Sequence, residues 1–188
     1  MAGIRVVSGS ARGRRLNLVP GETTRPIMDR IKESLFNILG AAYVADQVWL
    51  DLFAGTGQVG IEALSRGART AVFIDNARAA IDTIYANLRL TDLTDRAQVL
   101  QTSAFAYLRQ TQQLFDVIYV APPQYKGLWL DALRDIDQRA ETLLTENGLV
   151  VAQIDPREYE APPLTHLELA DERRYGNTLL CFYERTGA

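Results

Sequence analysis

The sequence predicts an α/β fold in which helices cover both faces of a mostly parallel sheet. From Val48 onward, strand-like and helix-like patterns alternate along the chain, which is the order that parallel strands joined by helices require. The chain closes differently, on two strand-like runs around a short turn, which would place an antiparallel strand in the sheet. The 188 residues, 47% of them hydrophobic, suffice for one well-packed core but are few for two, so we expect a single domain over residues 1–188.

The first forty residues carry a separate pattern. A small hairpin is predicted from two strand-like runs, IRVVSG and RRLNLVP, with Gly13 in or near the turn. An amphipathic helix is predicted in TTRPIMDRIKESLFNILG, where Thr23 or Thr24 can cap it, Pro26 suits its first turn and Gly40 ends it. Its apolar face is expected to consist of Ile27, Ile31, Leu35 and Ile38.

The remaining elements follow in alternation. Strands are predicted in VWLDLF, AVFID, AQVLQ, FDVIYVA and GLVVAQID. Helices are predicted in QVGIEALSRG, ARAAIDTIYANLRL, AFAYLRQ and LWLDALRDIDQRAETLL, and Gly67 should end the first of them. The closing hairpin would pair HLELADE with LLCFYER across RRYGNT.

The formal net charge of -3 conceals an uneven distribution. Residues 1–40 carry seven basic and three acidic side chains, a balance of +4, which leaves -7 on the remainder. A basic segment on an acidic body indicates a local surface for binding a polyanion, although a solvated charged face explains the composition equally well. The basic residues are Arg5, Arg12, Arg14, Arg15, Arg25, Arg30 and Lys32.

Cysteine content and hydropathy exclude several classes of protein. The single cysteine, Cys181, cannot form an intramolecular disulfide, and no Cys or His pair has the spacing of metal ligands, so we expect no metal site. The N-terminus lacks the apolar core of a signal peptide, and no apolar run approaches the ~20 residues that span a bilayer. The expected compartment is the cytoplasm.

The segment DLFAGTGQVG predicts a ligand-binding loop between a strand and a helix. Gly55 and Gly57 would let the backbone turn tightly and approach a ligand closely. Asp75 ends the next strand, twenty residues after Gly55, where its carboxylate could bind two ribose hydroxyls. Because GTGQVG also satisfies GxGxxG, a dinucleotide-dependent oxidoreductase stays open, as does a purely structural turn. Asp51 favours S-adenosylmethionine, since that ligand is cationic and carries no phosphate.

Several segments together resemble one family of enzymes. They are VVSGSARGRRL, TTRPIMDRIKESLFNILG, DLFAGTGQVGIEALSRGA, FIDN and RRYGNTLLCFYE. The chain is similar in these to the RsmD family, bacterial methyltransferases that modify the N2 amine of one guanine in small-subunit ribosomal RNA. The resemblance implies a Rossmann-like class I methyltransferase fold with seven strands, the last of them antiparallel. It also implies an RNA-contacting extension over residues 1–40 and a core over residues 41–188 that binds S-adenosylmethionine.

The resemblance assigns roles to individual residues. Asp51 to Gly57 would hold the methionine part of the cofactor, and Asp75 would hold the ribose. The full set of cofactor positions is Asp51, Phe53, Ala54, Gly55, Thr56, Gly57, Asp75, Asn76, Ser103 and Ala104. The RNA, expected within an assembling or assembled small subunit, would be contacted by Arg5, Arg12, Arg14, Arg15, Arg25, Arg30 and Lys126.

The predicted catalytic loop is Ala121, Pro122, Pro123, Gln124 and Tyr125. It departs from the family pattern, because Ala121 stands where the family usually has Asp or Asn. Ser103 likewise replaces the acid that usually meets the adenine amine. Backbone carbonyls near Ala121, with the Gln124 amide as a substitute acceptor, would then face the target amine, and Tyr125 could stack on a flipped base. The alternative is a protein that binds cofactor and RNA without catalysis.

Overall fold

A computed structural model describes residues 4–21 and 27–187. Within them the chain forms one sheet of seven strands. The strands are β1 (Val48–Asp51), β2 (Thr70–Asp75), β3 (Ala97–Gln101), β4 (Phe115–Val120), β5 (Leu144–Ile154), β6 (Leu167–Tyr175) and β7 (Thr178–Arg185). The α-helices of the same residues are α1 (Asp29–Leu39), α2 (Gln58–Ser65), α3 (Arg78–Thr91), α4 (Ala104–Gln110), α5 (Leu128–Gln138) and α6 (Ala140–Leu143). Short 3-10 turns lie at Ala41–Tyr43, Thr94–Arg96 and Pro156–Glu158.

The strand order is β3-β2-β1-β4-β5-β7-β6. Neighbouring strands from β3 to β5 pair in parallel, whereas β7 is antiparallel to both β5 and β6. The predicted fold is therefore confirmed, including the antiparallel final strand. The central strands read as nearly continuous apolar runs because helices cover both of their faces.

Two apolar layers enclose the sheet. One packs α1, α2 and α3 against side chains such as Trp49, Phe73 and Val117. The other packs α4 and α5 against the opposite face, around Ile118 and Val150. The three-layer arrangement leaves the two ends of the sheet as the places where loops gather.

The N-terminal segment forms less sheet than predicted. Arg5 and Arg15 make a single antiparallel bridge, and Gly13 lies in the turn with a φ of 82°. Beside the bridge, Val6 N–H donates to Arg14 O at 2.9 Å, whereas in the turn Ser10 N–H donates to Ser65 O on α2 at 2.8 Å. A Cβ on Gly9 would lie 1.9 Å from that Ser65 oxygen. Because the segment packs so closely onto α2, it cannot extend into a regular hairpin.

A buried ion pair holds this segment to the core. Glu62 on α2 accepts hydrogen bonds from Val7 N–H at 2.8 Å and Ser8 N–H at 2.9 Å. Lys32 Nζ on α1 lies 3.5 Å from Glu62 Oε2 and donates to Arg5 O at 2.5 Å. Burial lowers the pKa of Lys32, against the opposing effects of Glu62 and Asp29. The pair therefore joins the N-terminal segment, α1 and α2 at one point.

The first helix begins later than predicted, and one position of its predicted apolar face was wrong. The helix begins at Asp29, after Met28 in an extended conformation with ψ of 145°. Thr23, Thr24, Arg25 and Pro26 themselves lie outside the described residues. Ile27, Ile31 and Leu35 are buried as predicted, whereas Ile38 is 39% exposed. Lys32, Phe36 and Leu39 complete the buried face of the helix. Gly40 does end the helix, with a φ of 62°.

Two later boundaries also differ. The long helix predicted before β5 breaks at Arg139, whose Nη2 donates to Thr111 O at 3.0 Å. β5 begins at Leu144, before the predicted GLVVAQID. Among the helices that the structure describes, none combines the length and the apolarity needed to cross a membrane.

Candidate active site

The functional site is expected at the carboxyl edge of the sheet, between β1 and β4. The chain order reverses there, because β2 and then β3 lie on one side of β1, whereas β4 and then β5 lie on the other. The loops that follow β1 and β4 consequently diverge and leave a crevice, which is where open parallel sheets bind ligands. The glycine loop follows β1, and the double-proline loop follows β4.

The glycine loop has the backbone geometry of a ligand cradle. Gly55 and Gly57 adopt φ values of 52° and 74°, which favour glycine. A Cβ on Gly55 would meet nothing within 4 Å, so it would project into open space beside the loop. A Cβ on Gly57 would lie 3.2 Å from Ile84 Cγ1, because α3 packs closely there. Gly55 therefore leaves room for a ligand, while Gly57 allows the close approach of a helix.

Asp75 at the end of β2 organises the glycine loop. Its Oδ2 accepts a hydrogen bond from Gly55 N–H at 2.9 Å, and its Oδ1 accepts one from Ala77 N–H at 2.9 Å. The side chain is half-buried at the crevice. Its role in shaping the loop is additional to the ribose contact predicted from the sequence, and follows from the parallel pairing of β1 with β2.

Asp51 at the end of β1 is a buried carboxyl group. It is 2% exposed, and its Oδ2 accepts a hydrogen bond from Gly60 N–H at 3.1 Å. Burial raises the pKa of Asp51 to about 7, with a further rise from Asp75 and an opposing effect from the Gly60 hydrogen bond. A cationic ligand group beside this carboxyl would favour its ionised form.

The donor pattern at α2 fits S-adenosylmethionine better than a dinucleotide. A pyrophosphate would need the free N–H groups at the start of α2, and Asp51 already occupies one of them. The buried carboxyl would also repel the phosphates. The residues present therefore fit a cofactor with a cationic amino-acid part and a ribose.

The other predicted cofactor positions follow β1, β2 and β3 along the same edge. Ala54 is buried, Phe53 makes an edge contact with Phe105 at 6.4 Å, and Thr56 O accepts from Asn87 Nδ2 at 2.9 Å. Asn76 is exposed beyond β2. Ser103 caps α4 by accepting from Ala106 N–H at 3.1 Å, and Ala104 begins that helix. The Ser103 oxygen is thus engaged by the helix, a role that its position before AFAYLRQ could have indicated.

The loop after β4 is rigid at its start and exposed at its tip. Ala121 is half-buried and Pro122 is buried, whereas Pro123, Gln124 and Tyr125 are exposed. Each proline fixes its own φ and removes a donor, so the carbonyls near Ala121 are held in place. Ala121 offers no side-chain acceptor at this point.

The structure fixes Tyr125 through residues that the sequence did not single out. Tyr125 adopts a φ of 60°, which is uncommon for a residue with a side chain. Its hydroxyl donates to Asp155 Oδ2 at 2.6 Å, and its N–H donates to Glu158. Arg157 donates to the Tyr125 hydroxyl, and its guanidinium lies 5.5 Å from the ring centroid. We call Tyr125, Asp155, Arg157 and Glu158 the loop clamp.

The charges within the loop clamp reinforce one another. Hydrogen bonds from Arg157 and Tyr125 hold the pKa of Asp155 well below its usual range. The same Asp155 contact is the main cause that raises the pKa of Tyr125. Asp155 follows β5, which neighbours β4, so the parallel order of these two strands was the available signal for the contact.

The predicted RNA-contacting residues lie in three places. Arg12, Arg14 and Arg15 are exposed around the N-terminal turn. Arg5 is exposed but ion-paired with Asp29, with 2.9 Å between Nε and Oδ2. The others are Arg30, exposed on α1; Lys126, exposed in the loop after β4; and Arg25, which lies outside the described residues. Over the part of the chain that the structure describes, no cluster of three or more His, Cys, Asp or Glu could hold a metal ion.

The strand order and the glycine loop define a methyltransferase of the class I, S-adenosylmethionine-dependent type. The chain belongs to the family described as "Conserved hypothetical protein 95", whose model matches residues 4–184. This membership confirms the predicted resemblance, since several relatives in the comparison carry the name ribosomal RNA small subunit methyltransferase D. The alternative of a dinucleotide-dependent oxidoreductase was wrong.

Relatives support the assignment over nearly the whole chain. The provisionally named rRNA methyltransferase YlbH of Bacillus subtilis is 39% identical over 188 residues, which cover 98% of this chain and 100% of the relative. Ribosomal RNA small subunit methyltransferase D of Escherichia coli is 36% identical, over 77% of this chain and 68% of the relative. The solved structure of yhhF from Escherichia coli, provisionally named a methyltransferase, is 31% identical with a TM-score of 0.82, covering 98% of each chain.

Proposed function

We propose that this protein transfers a methyl group from S-adenosylmethionine to the exocyclic N2 amine of a guanine in small-subunit ribosomal RNA. One observation carries the proposal: the glycine loop with Asp51 and Asp75 and the double-proline loop follow the neighbouring parallel strands β1, β2 and β4 at the same edge of the sheet. The names of the relatives, which specify rRNA and the small subunit, support the choice of substrate.

Two carboxylates would hold different parts of the cofactor. The Asp51 carboxylate would bind the ammonium of the methionine part, and Asp75 would bind ribose hydroxyls while continuing to hold Gly55. When bound, S-adenosylmethionine supplies a methyl group activated by its sulfonium. Phe53 and the residues around Ser103 and Ala104 would flank the nucleoside along β3.

The loop after β4 would position the amine for in-line attack. The lone pair of a guanine N2 amine is delocalised into the ring, so acceptors for its N–H groups are needed to localise that pair on nitrogen. Backbone carbonyls near Ala121 and Pro122 would serve in this way. As the N–C bond forms, the C–S bond breaks, sulfur keeps the electron pair, and nitrogen then loses a proton to water. Positioning of the two reactants alone can lower the barrier by ~7 kcal/mol or more.

The N-terminal extension, residues 1–40, would bind the phosphates of the RNA ahead of the core over residues 41–188. The exposed side chains of Arg12, Arg14 and Arg15 are the strongest candidates, because Arg5 is already paired with Asp29. We place the activity in the cytoplasm, the compartment of ribosome assembly.

The test is transfer of a labelled methyl group into undermodified small ribosomal subunits, compared with naked RNA of the same sequence. We expect incorporation that depends on the protein and is lost at limiting cofactor in Asp75→Ala. A triple Arg12, Arg14 and Arg15 to Gln variant should bind RNA less tightly and with a smaller salt slope, by about 2 in log–log units, with unchanged cofactor affinity. Binding of cofactor and RNA without incorporation would instead identify a binding protein without turnover.

A further inference from the structure

Ala121 leaves the end of β4 without a side-chain acceptor, and the neighbouring strand carries a polar side chain at the same level. β4 and β5 run in parallel with Val120 paired to Ala152, so the next step along each strand sets Ala121 opposite Gln153. The side chain of Ala121 is only a methyl group, whereas the side chain of Gln153 carries an amide. The loss of an acceptor at one position is thus matched by an acceptor across the strand pair.

Both residues face the same side of the sheet. Side chains alternate across a strand, so Ala121 shares a face with Tyr119, and Gln153 shares a face with Val151. Tyr119 and Val151 belong to the core layer formed with α1, α2 and α3, and Ala121 packs against that layer. Asp51 pairs with Tyr119 in the register of β1 and β4. Gln153 therefore lies on the face of the sheet that carries Asp51.

The fold orients the Gln153 amide. Tyr119 Oη donates a hydrogen bond to Gln153 Oε1 at 2.5 Å. Tyr119 is buried, and Gln153 is half-buried near the carboxyl end of β5. An amide oxygen has two lone pairs, so the bond from Tyr119 leaves it able to accept a second hydrogen bond. Gln124, in contrast, is exposed at the loop tip beyond both prolines.

We propose that Gln153 supplies the side-chain acceptor for the target amine that Ala121 lacks, and that Tyr119 is the positioning residue that orients it. The inference rests on the proposed function and adds a catalytic residue to the same site. Gln153 Oε1 would accept one N–H of the guanine amine while a backbone carbonyl near Ala121 accepts the other. The lone pair is then available to form the N–C bond as the C–S bond breaks, and the amine proton passes to water afterwards.

Single-turnover methyl transfer to undermodified small subunits at saturating cofactor tests the role of Gln153, because it isolates the chemical step from binding. Gln153→Met keeps the length of the side chain and removes the acceptor. We expect a loss of about 100-fold in rate, by analogy with other single groups that stabilise a transition state. The matched control is Gln47→Met, which changes a glutamine at the opposite edge of the sheet, before β1, and should leave the rate unchanged. Calorimetry with S-adenosylhomocysteine should give the same affinity for all three proteins.

Two further variants separate this role from simple packing. Ala121→Asn in the Gln153→Met background returns an acceptor to the crevice and should recover most of the lost rate, which a packing defect would not allow. Tyr119→Phe keeps the ring and frees the Gln153 amide, so we expect a smaller loss, about tenfold, in the chemical step with little change in KM. This variant also serves if Gln153→Met fails to fold.

The outcomes distinguish the inference from the proposed function. An active native protein with equal rates for Gln153→Met would overturn the inference and leave the proposed function standing, as would a large loss in Gln124→Ala alone. A native protein that binds S-adenosylhomocysteine but transfers no methyl group, with activity appearing in Ala121→Asn, would overturn both, since Gln153 would then not replace the missing acceptor.

Discussion

Cofactor affinity should depend on pH through Asp51. Burial raises the pKa of this carboxyl to about 7, so acidification below that value converts it to the neutral acid. In the proposed site the ammonium of the cofactor binds the ionised form of Asp51, and the ammonium keeps its own charge at acid pH. Cofactor affinity is therefore greatest where Asp51 is ionised, and it falls as the pH decreases.

The size of the change in cofactor affinity follows from the ionised fraction of Asp51. Between about pH 7 and about pH 5.5 that fraction drops roughly 16-fold, so the affinity for S-adenosylhomocysteine should drop by the same factor, about 1.6 kcal/mol. The other titratable groups beside this carboxyl are Asp75 and Tyr119, and burial holds the pKa of Tyr119 well above its ordinary value, so Tyr119 stays neutral over this range.

Isothermal calorimetry over this pH range is the assay, with two controls. Adenosine lacks the amino-acid part, so its affinity should be nearly constant with pH. Asp51→Asn removes the titrating group, so its weaker binding of S-adenosylhomocysteine should show a flat profile. Constant or rising affinity on acidification in the native protein, or the same slope in Asp51→Asn, would show that ionised Asp51 does not bind the ammonium.

Three further predictions concern the cofactor loop, the N-terminal segment and the loop clamp. Asp75→Ala should weaken S-adenosylmethionine binding in calorimetry by ~1.5–3 kcal/mol for each ribose hydrogen bond lost, and unchanged affinity would place the ribose elsewhere. Glu62→Gln should lower the free energy of unfolding in urea by about 3–5 kcal/mol, because Lys32 would stay buried without its buried anion, with only the part-exposed Asp29 left at 3.9 Å. The exposed Glu33→Gln is the control, and an equal effect of the two changes would argue against a buried anchor. Tyr125→Phe should slow single-turnover transfer, by up to about 100-fold if the loop shifts by 1 Å, at unchanged cofactor affinity, and a native rate would show that the clamp does not position the loop.

The alternation of strands and helices was predictable because it rests on local patterns. Buried parallel strands are apolar throughout and short, and helices show their own period, so each could be assigned without knowing its neighbours. The glycine loop was predictable for the same reason, since Gly55 and Gly57 need backbone conformations that other residues rarely adopt. The count of seven strands followed from the resemblance to a known family, whereas the order of the strands depends on contacts between distant segments and was seen only in the structure.

The errors and omissions came from contacts between distant parts of the chain. The N-terminal hairpin was predicted from local composition, but Glu62 on α2 accepts the backbone N–H groups of Val7 and Ser8, and Asn87 on α3 accepts that of Asn17, so the pairing stops after one bridge. The apolar spacing of the first helix suggested Ile38 on its buried face, where packing on the sheet selects Phe36 instead. The loop clamp joins Tyr125 to Asp155, residues thirty positions apart, through the pairing of β4 with β5.

Identification of the methylated nucleoside tests whether this protein methylates the N2 amine of a guanine in small-subunit ribosomal RNA. Small subunits that lack the modification would be incubated with the protein and labelled S-adenosylmethionine, and the RNA would be digested and mapped by mass spectrometry. We expect one labelled nucleoside, N2-methylguanosine, at a single position of the small-subunit RNA. Label on another atom or another base, or its absence from a protein that binds the cofactor, would contradict it.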